Sequence, residues 1–118
     1  MQNGEKDLAL RTKNFARGII QLYVMLPKET VAQVLGRQVL RPGTSVGANY
    51  REANGARSRA EFVAKIGDCL KETDETAYWL ELLIDEKVAS RPRLEPLLGE
   101  ANELIAIFVT ISKRARGH

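Results

Sequence analysis

Apolar residues recur every three or four positions in four successive segments of this 118-residue chain. The first segment is the clearest, with Leu8, Phe15, Ile19, Leu22 and Leu26 on one helical stripe. This period is typical of helices that bury one side, whereas strands alternate every second residue, and no alternating segment occurs. Short connections between four such helices favour an antiparallel up-down-up-down arrangement. The sequence therefore predicts an all-α, antiparallel four-helix bundle formed by residues 1–118 as a single domain.

Capping residues mark where the predicted helices begin. We expect the first helix to start at Asp7, whose carboxylate can cap it, and the second to be capped by Thr30. Ser58 followed three residues later by Glu61 is a capping box that opens the third helix. Ser90 marks the start of the fourth. The residues before Asp7 are polar and are expected to lie outside the first helix.

Pro42 and Gly43 interrupt the apolar stripe of the second helix. One interpretation is a continuous helix with a proline kink, and the other is two helices joined by a turn, with Thr44 or Ser45 as the new cap. We favour the kinked helix because the apolar stripe keeps its phase across Pro42.

A polar stripe runs through the same segment. Arg41, Ser45, Asn49 and Glu52 are spaced by four, four and three residues, which places them on one helical face. They could present an arginine and an amide to a phosphate or a base. Alternatively, they could form a satisfied network that fixes helix two against helix three or against a neighbouring subunit, since buried polar groups must find partners. We favour the structural interpretation.

The predicted topology gathers basic residues at the end of the bundle that carries both termini. The net charge of +3 is mild, so the distribution of charge matters more than its sum. Cations here could bind phosphates, or they could simply complement the negative ends of helix dipoles. The predicted nucleic-acid-binding residues are Arg51, Arg57, Arg59, Lys113, Arg114 and Arg116, and the opposite end holds Lys28, Lys87, Arg91 and Arg93.

Catalytic and metal chemistry have little support in the residue types. The single histidine, His118, is the last residue, so the histidine ligands of di-iron bundles cannot be built, and we expect no catalytic residue, metal or cofactor. The single cysteine, Cys69, lies on the apolar face of the third helix and is expected to be a core residue. One cysteine excludes an internal disulfide, and no signal-like or membrane-spanning run occurs, so a cytoplasmic protein is expected.

The polar stripe and its surroundings also resemble a known family signature. Residues 40–53 read LRPGTSVGANYREA and are followed by SRAEF at residues 58–62. This run resembles the small four-helix-bundle proteins first noticed in intervening sequences of bacterial large-subunit ribosomal RNA genes, and the likeness extends from about Leu8 to Lys113. It is distantly similar to the accessory protein of diversity-generating retroelements, a scaffold that binds nucleic acid and reverse transcriptase.

The resemblance implies an antiparallel bundle that forms ring-like homo-oligomers, namely pentamers, with nucleic-acid binding as the proposed role. Together with the basic end, it leads to the hypothesis of a non-enzymatic homo-oligomer that binds RNA, or DNA, with little sequence preference. The alternative is a structural or adaptor module whose oligomer docks another protein, such as a reverse transcriptase.

Overall fold

The computed structural model describes residues 2–117, with side chains from Asp7 onward, and forms four helices. They are α1 (Gln2–Met25), α2 (Thr30–Asn54), α3 (Arg59–Asp85) and α4 (Arg91–Ala115). Within residues 2–117 there is no strand. The prediction of an all-α four-helix bundle is confirmed.

Helix α1 packs closely against α2 at glycines. A Cβ atom added at Gly43 would lie 2.8 Å from Cγ1 of Ile19, and one added at Gly47 would lie 3.2 Å from Oγ1 of Thr12. Because the position on α1 falls as the position on α2 rises, the two helices run in opposite directions. The absent side chains are what let the helices approach so closely.

Contacts between side chains fix the directions of the other helices. Arg41 of α2 lies opposite Glu75 of α3, whereas Glu52, further along α2, lies opposite Lys65, nearer the start of α3. Helices α2 and α3 therefore also run in opposite directions. The rings of Tyr50 on α2 and Phe108 on α4 are 6.3 Å apart, so the last turns of α2 and α4 share one end of the molecule.

A core of apolar side chains runs along the bundle, whose extents are 46 × 21 × 20 Å. Each fully buried large side chain stabilises the fold by about 1.5–3 kcal/mol relative to an exposed one. The largest fully buried apolar side chains are Ile19, Leu22, Val39, Val46, Ile66, Leu80, Leu83, Leu94, Leu104 and Phe108.

Of the four expected helix starts, the first was wrong, the cap of the second lies one residue earlier than expected, and the third and fourth, at Ser58 and Ser90, are confirmed. Helix α1 begins at Gln2 rather than Asp7, because no proline precedes Asp7 and glutamine, glutamate and lysine favour helix. The N-cap of α2 is Glu29 rather than Thr30, and its side chain makes no capping hydrogen bond. At the start of α3, Ser58 Oγ accepts a hydrogen bond of 3.0 Å from the backbone N–H of Glu61, as the capping box predicted.

Pro42 lies inside α2, which continues through it as one helix. The hydroxyl groups that could have capped a new helix donate instead to carbonyl groups of the preceding turn: Thr44 Oγ1 to Leu40 O at 2.8 Å, and Ser45 Oγ to Arg41 O at 2.7 Å. The two-helix alternative is therefore wrong. A bend at Pro42 stays a prediction.

Candidate nucleic-acid interface

The helix lengths and connections bring the six predicted nucleic-acid-binding residues to one end of the bundle. Helix α2 ends at Asn54, α3 begins at Arg59 and α4 ends at Ala115, and the Tyr50–Phe108 ring contact ties these helix ends together. We call this end, defined by its exposed cations, the basic end. Its members are Arg51, Arg57, Arg59, Lys113, Arg114 and Arg116.

Each cation of the basic end is free to meet an external anion. All six are exposed, and none forms an ion pair with a described residue. The neighbouring carboxylate of Glu52 is already matched, because Lys65 Nζ lies 2.6 Å from its Oε1. This hydrogen bond and the charge of Glu52 raise the pKa of Lys65. The charge of the basic end is therefore not cancelled by Glu52.

Helix dipoles separate the six cations into two groups. Arg51 lies in the last turn of α2, Lys113 and Arg114 lie in the last turn of α4, and Arg116 is the C-cap of α4, so these four cations offset the negative ends of helix dipoles. Arg57 and Arg59 instead flank Ser58, the N-cap of α3, where the dipole is positive. Fold stability explains the first group but not the second.

An open groove between α1 and α2 adjoins the basic end. It encloses about 510 Å³, and its lining includes Lys13, Thr44, Gly47, Ala48 and Arg51. The space is open because small residues line it on both helices, and Lys13 lies at its edge on α1. Sequence reasoning missed Lys13, because the groove that it lines forms only where α1 packs against α2.

The polar stripe reaches α3 at both of its ends. Arg41 Nη2 lies 2.9 Å from Oε1 of Glu75, and Arg41 Nη1 lies 3.3 Å from Oε2 of Glu72. The hydrogen bond to Glu75 and the charges of both carboxylates raise the pKa of Arg41. At the other end, Glu52 pairs with Lys65 of α3, as described above.

The two middle members of the stripe behave differently. Among the described residues, the hydroxyl of Ser45 bonds only to the Arg41 carbonyl of its own helix, and Asn49 is half-buried. The structure thus places Arg41 and Glu52 against α3 but does not link the four side chains to one another. Sequence reasoning missed Lys65, Glu72 and Glu75 because partner choice depends on the α2–α3 register. That the stripe governs assembly stays a prediction.

Comparison with known proteins relates this fold and its sequence motif to a protein family. The model of the 23S rRNA-intervening sequence protein family matches residues 6–110. The chain belongs to this family. The resemblance seen in the sequence motif is thereby confirmed, and this intervening-sequence protein carries the motif on α2 and at the start of α3.

A solved structure supports the same assignment. The chain is similar to a protein of unknown function from the S23 ribosomal protein family of Bacteroides thetaiotaomicron VPI-5482, with 41% sequence identity and a TM-score of 0.83. The match covers 89% of this chain and 97% of that one. No curated protein matches the chain. Neither matched description names an enzymatic activity.

The remaining candidates for chemistry in this family member are few. Cys69 is fully buried, as predicted, and desolvation raises the pKa of its thiol to about 12. Its Sγ donates to the carbonyl of Val46 at 3.7 Å. Among the described residues, no group of three or more histidine, cysteine or acidic side chains could hold a metal ion. His118 lies outside the described residues, and no described helix is long and apolar enough to cross a membrane.

Proposed function

We propose that this intervening-sequence protein is a non-enzymatic, cytoplasmic homo-oligomer that binds RNA through its basic end with little sequence preference. Phosphate groups would displace counterions from the exposed cations, so the affinity would come mainly from charge. If the assembly is a pentamer, as the family resemblance implies, five copies of a modest site would act together and increase the overall affinity.

The position of Arg57 and Arg59 carries this proposal. A cation near a helix N-terminus is disfavoured by the dipole, by roughly 0.3–1 kcal/mol. These two arginines are exposed and form no ion pair with a described residue, so no salt bridge offsets this cost. An external anion would supply it, and the positive end of α3 would add to the attraction.

The aromatic side chains of this region argue against recognition of base sequence. Tyr50 and Phe108 are buried in the core, and Phe62 is half-buried against it. Proteins that read single-stranded RNA stack bases on exposed aromatic rings. Charge and shape would therefore dominate, and RNA and DNA of unrelated sequence should bind similarly.

A salt titration tests the charge mechanism. If all six cations contact phosphates of a duplex, the plot of log affinity against log salt should have a slope of about −5 per site, and affinity should fall by about 10³ between 50 and 200 mM salt. Fluorescence anisotropy with labelled RNA and DNA of unrelated sequences measures this. Binding that is insensitive to salt, or no binding at low salt, would overturn the proposal and favour the adaptor function.

Charge reversal locates the site. The triple variant R57E/R59E/R114E should lose at least tenfold in RNA affinity at low salt, because each substitution replaces a phosphate partner with a repelling charge. These side chains are exposed, so circular dichroism and the assembled mass should stay unchanged.

A variant with the same change of charge at the other end provides the control. The triple substitution K28E/K87E/R93E alters the net charge equally but leaves the basic end intact. Its affinity should fall much less than that of R57E/R59E/R114E. Equal losses from the two variants would show that net charge alone attracts RNA and that the basic end is not the site.

A further inference from the structure

The outer side of α1 combines exposed apolar residues with cations. Leu10, Ile20 and Val24 are all exposed, Val24 to 67%. Lys13 and Arg17 lie between them, and the five residues follow the three- and four-residue spacing of a helix–helix seam. We call these five residues the α1 patch. They face away from the buried stripe of α1, so the fold of one copy gives them no packing role.

The α1 patch has a single sign of charge. Lys13 and Arg17 are exposed and form no ion pair with any described residue. From Ala9 to Met25 the helix contains no carboxylate. A surface that covered the α1 patch would therefore need to be apolar with acidic groups at its margin.

A second surface of this chain has that chemistry. Val31 and Val34 on α2 are exposed, and so is Tyr78 on α3, to 56%. Asp74 and Glu81 lie four residues before and three residues after Tyr78, on the same helical face, and neither pairs with a cation among the described residues. We call these five residues the Tyr78 patch.

The two halves of the Tyr78 patch face the same side of the bundle. Val34 precedes Arg41 by two helical turns, and Arg41 reaches across to Glu75, one turn before Tyr78. The ring of Tyr78 is held edge-on against Trp79, at a centroid distance of 4.9 Å. An exposed tyrosine fixed in this way loses little conformational freedom when a partner covers it.

The α1 patch and the Tyr78 patch lie on different sides of the molecule. Helix α1 packs against α2 and α4, and α3 lies diagonally across from it. One copy therefore cannot bring its own two patches together. A contact between them requires two copies and joins unlike surfaces.

We propose that the α1 patch of one copy docks on the Tyr78 patch of a second copy. Apolar side chains meet apolar side chains at the centre, while Lys13 and Arg17 approach Asp74 and Glu81 at the margin. The inference rests on the self-association in the proposed function and adds the surfaces that mediate it. Because the contact is head-to-tail, each copy keeps one patch free until a ring closes. RNA is a poor occupant of the α1 patch, since phosphates gain nothing from its three apolar side chains.

Two single substitutions, each confined to one patch, test the pairing. V24E introduces a carboxylate that Asp74 and Glu81 of the neighbour would repel, and Y78K removes the aromatic ring and would repel Lys13 and Arg17. Sedimentation velocity without nucleic acid measures the mass. We expect an oligomeric wild type and monomers for each variant alone, with native helicity by circular dichroism.

Mixing the two variants distinguishes unlike from like surfaces. V24E retains an intact Tyr78 patch and Y78K retains an intact α1 patch, so an equimolar mixture should regain a species of at least twice the monomer mass. A mixture that stays monomeric would overturn the head-to-tail pairing. So would either variant that keeps the wild-type mass by itself.

The control and the wild type separate this inference from the proposed function. N102E places the same charge on an exposed position of α4 and should keep the wild-type mass. A monomeric wild type would overturn both the interface and the proposed self-association. Variants of unchanged mass would overturn the interface alone, and RNA affinity is measured independently of either result.

Discussion

Arg11 on α1 and Glu100 on α4 form a two-point ion pair that closes the bundle between its first and last helices. Arg11 Nη2 lies 2.6 Å from Glu100 Oε1, and Arg11 Nε lies 3.0 Å from Oε2. Both side chains are about 28% exposed, so water screens the pair only in part. The hydrogen bonds and charge of Glu100, with a further contribution from Glu103, raise the pKa of Arg11.

Breaking this pair should destabilise the fold measurably. We expect E100Q to lower the free energy of unfolding by about 1–2 kcal/mol, since charge-assisted hydrogen bonds contribute more when they are partly shielded from water. Urea denaturation measures the change. The matched control is E95Q, which breaks the exposed pair of Arg91 and Glu95 within α4 and should cost less than about 0.5 kcal/mol. Equal effects would contradict a special role for the α1–α4 pair.

The glycine at the α1–α2 contact gives a second prediction. G43A should destabilise the protein by about 1–3 kcal/mol, because the new methyl group would lie 2.8 Å from Cγ1 and 2.9 Å from Cγ2 of the fully buried Ile19. Thermal or urea unfolding monitored by circular dichroism measures the loss.

Glycine-to-alanine changes elsewhere in the bundle serve as controls with the opposite sign. Gly67 and Gly99 lie inside helices, and apart from the nearby backbone of the same helix no atom lies within 4 Å of a Cβ added at either position. G67A and G99A should therefore stabilise by about 0.5–1 kcal/mol through helix propensity alone. If G43A also stabilises, then α1 lies further from α2 than the structure shows.

Alkaline pH should reveal the burial of Cys69. Burial in the folded state raises the pKa of this thiol from its ordinary value near 9 to about 12. At a pH between these two values, the unfolded chain has released the thiol proton and the folded chain still holds it. Stability contributed in this way is present below pH 9 and is lost as pH rises toward 12. Wild type should lose about 1–2 kcal/mol more than C69A between pH 8 and pH 10, measured by urea unfolding. Parallel losses in both proteins would mean that the thiol is accessible when folded.

Periodicity determined most of the fold, because each helix buries a continuous stripe whose spacing is visible locally. The Ser58 cap was equally local, since its partner is the backbone of Glu61. The start of α1 was not predicted, because the residues before Asp7 mix helix-favouring glutamine, glutamate and lysine with asparagine and glycine and carry no apolar stripe. Pro42 was ambiguous in sequence; the structure keeps the helix whole, and hydroxyl groups of Thr44 and Ser45 bond within it.

In the candidate site too, features set by local sequence were predictable, and features set by the packing of two helices were not. The six cations share one end because four helices of 24 to 27 residues return the chain to its starting end after every second helix, which element lengths alone imply. The partners of Arg41 and Glu52 depend on how α2 is rotated and shifted against α3, and no local pattern contains that register. The pairing of Arg11 with Glu100, 89 positions apart, was out of reach for the same reason.

The slender cross-section of the molecule limits what one copy could cover. The end that carries Arg57 and Lys113 measures about 21 by 20 Å. At 3.4 Å per base pair, such a width corresponds to roughly six base pairs of duplex. A nuclease footprint of that length would correspond to a solitary subunit, and a longer protected tract would require neighbouring subunits to present their ends side by side.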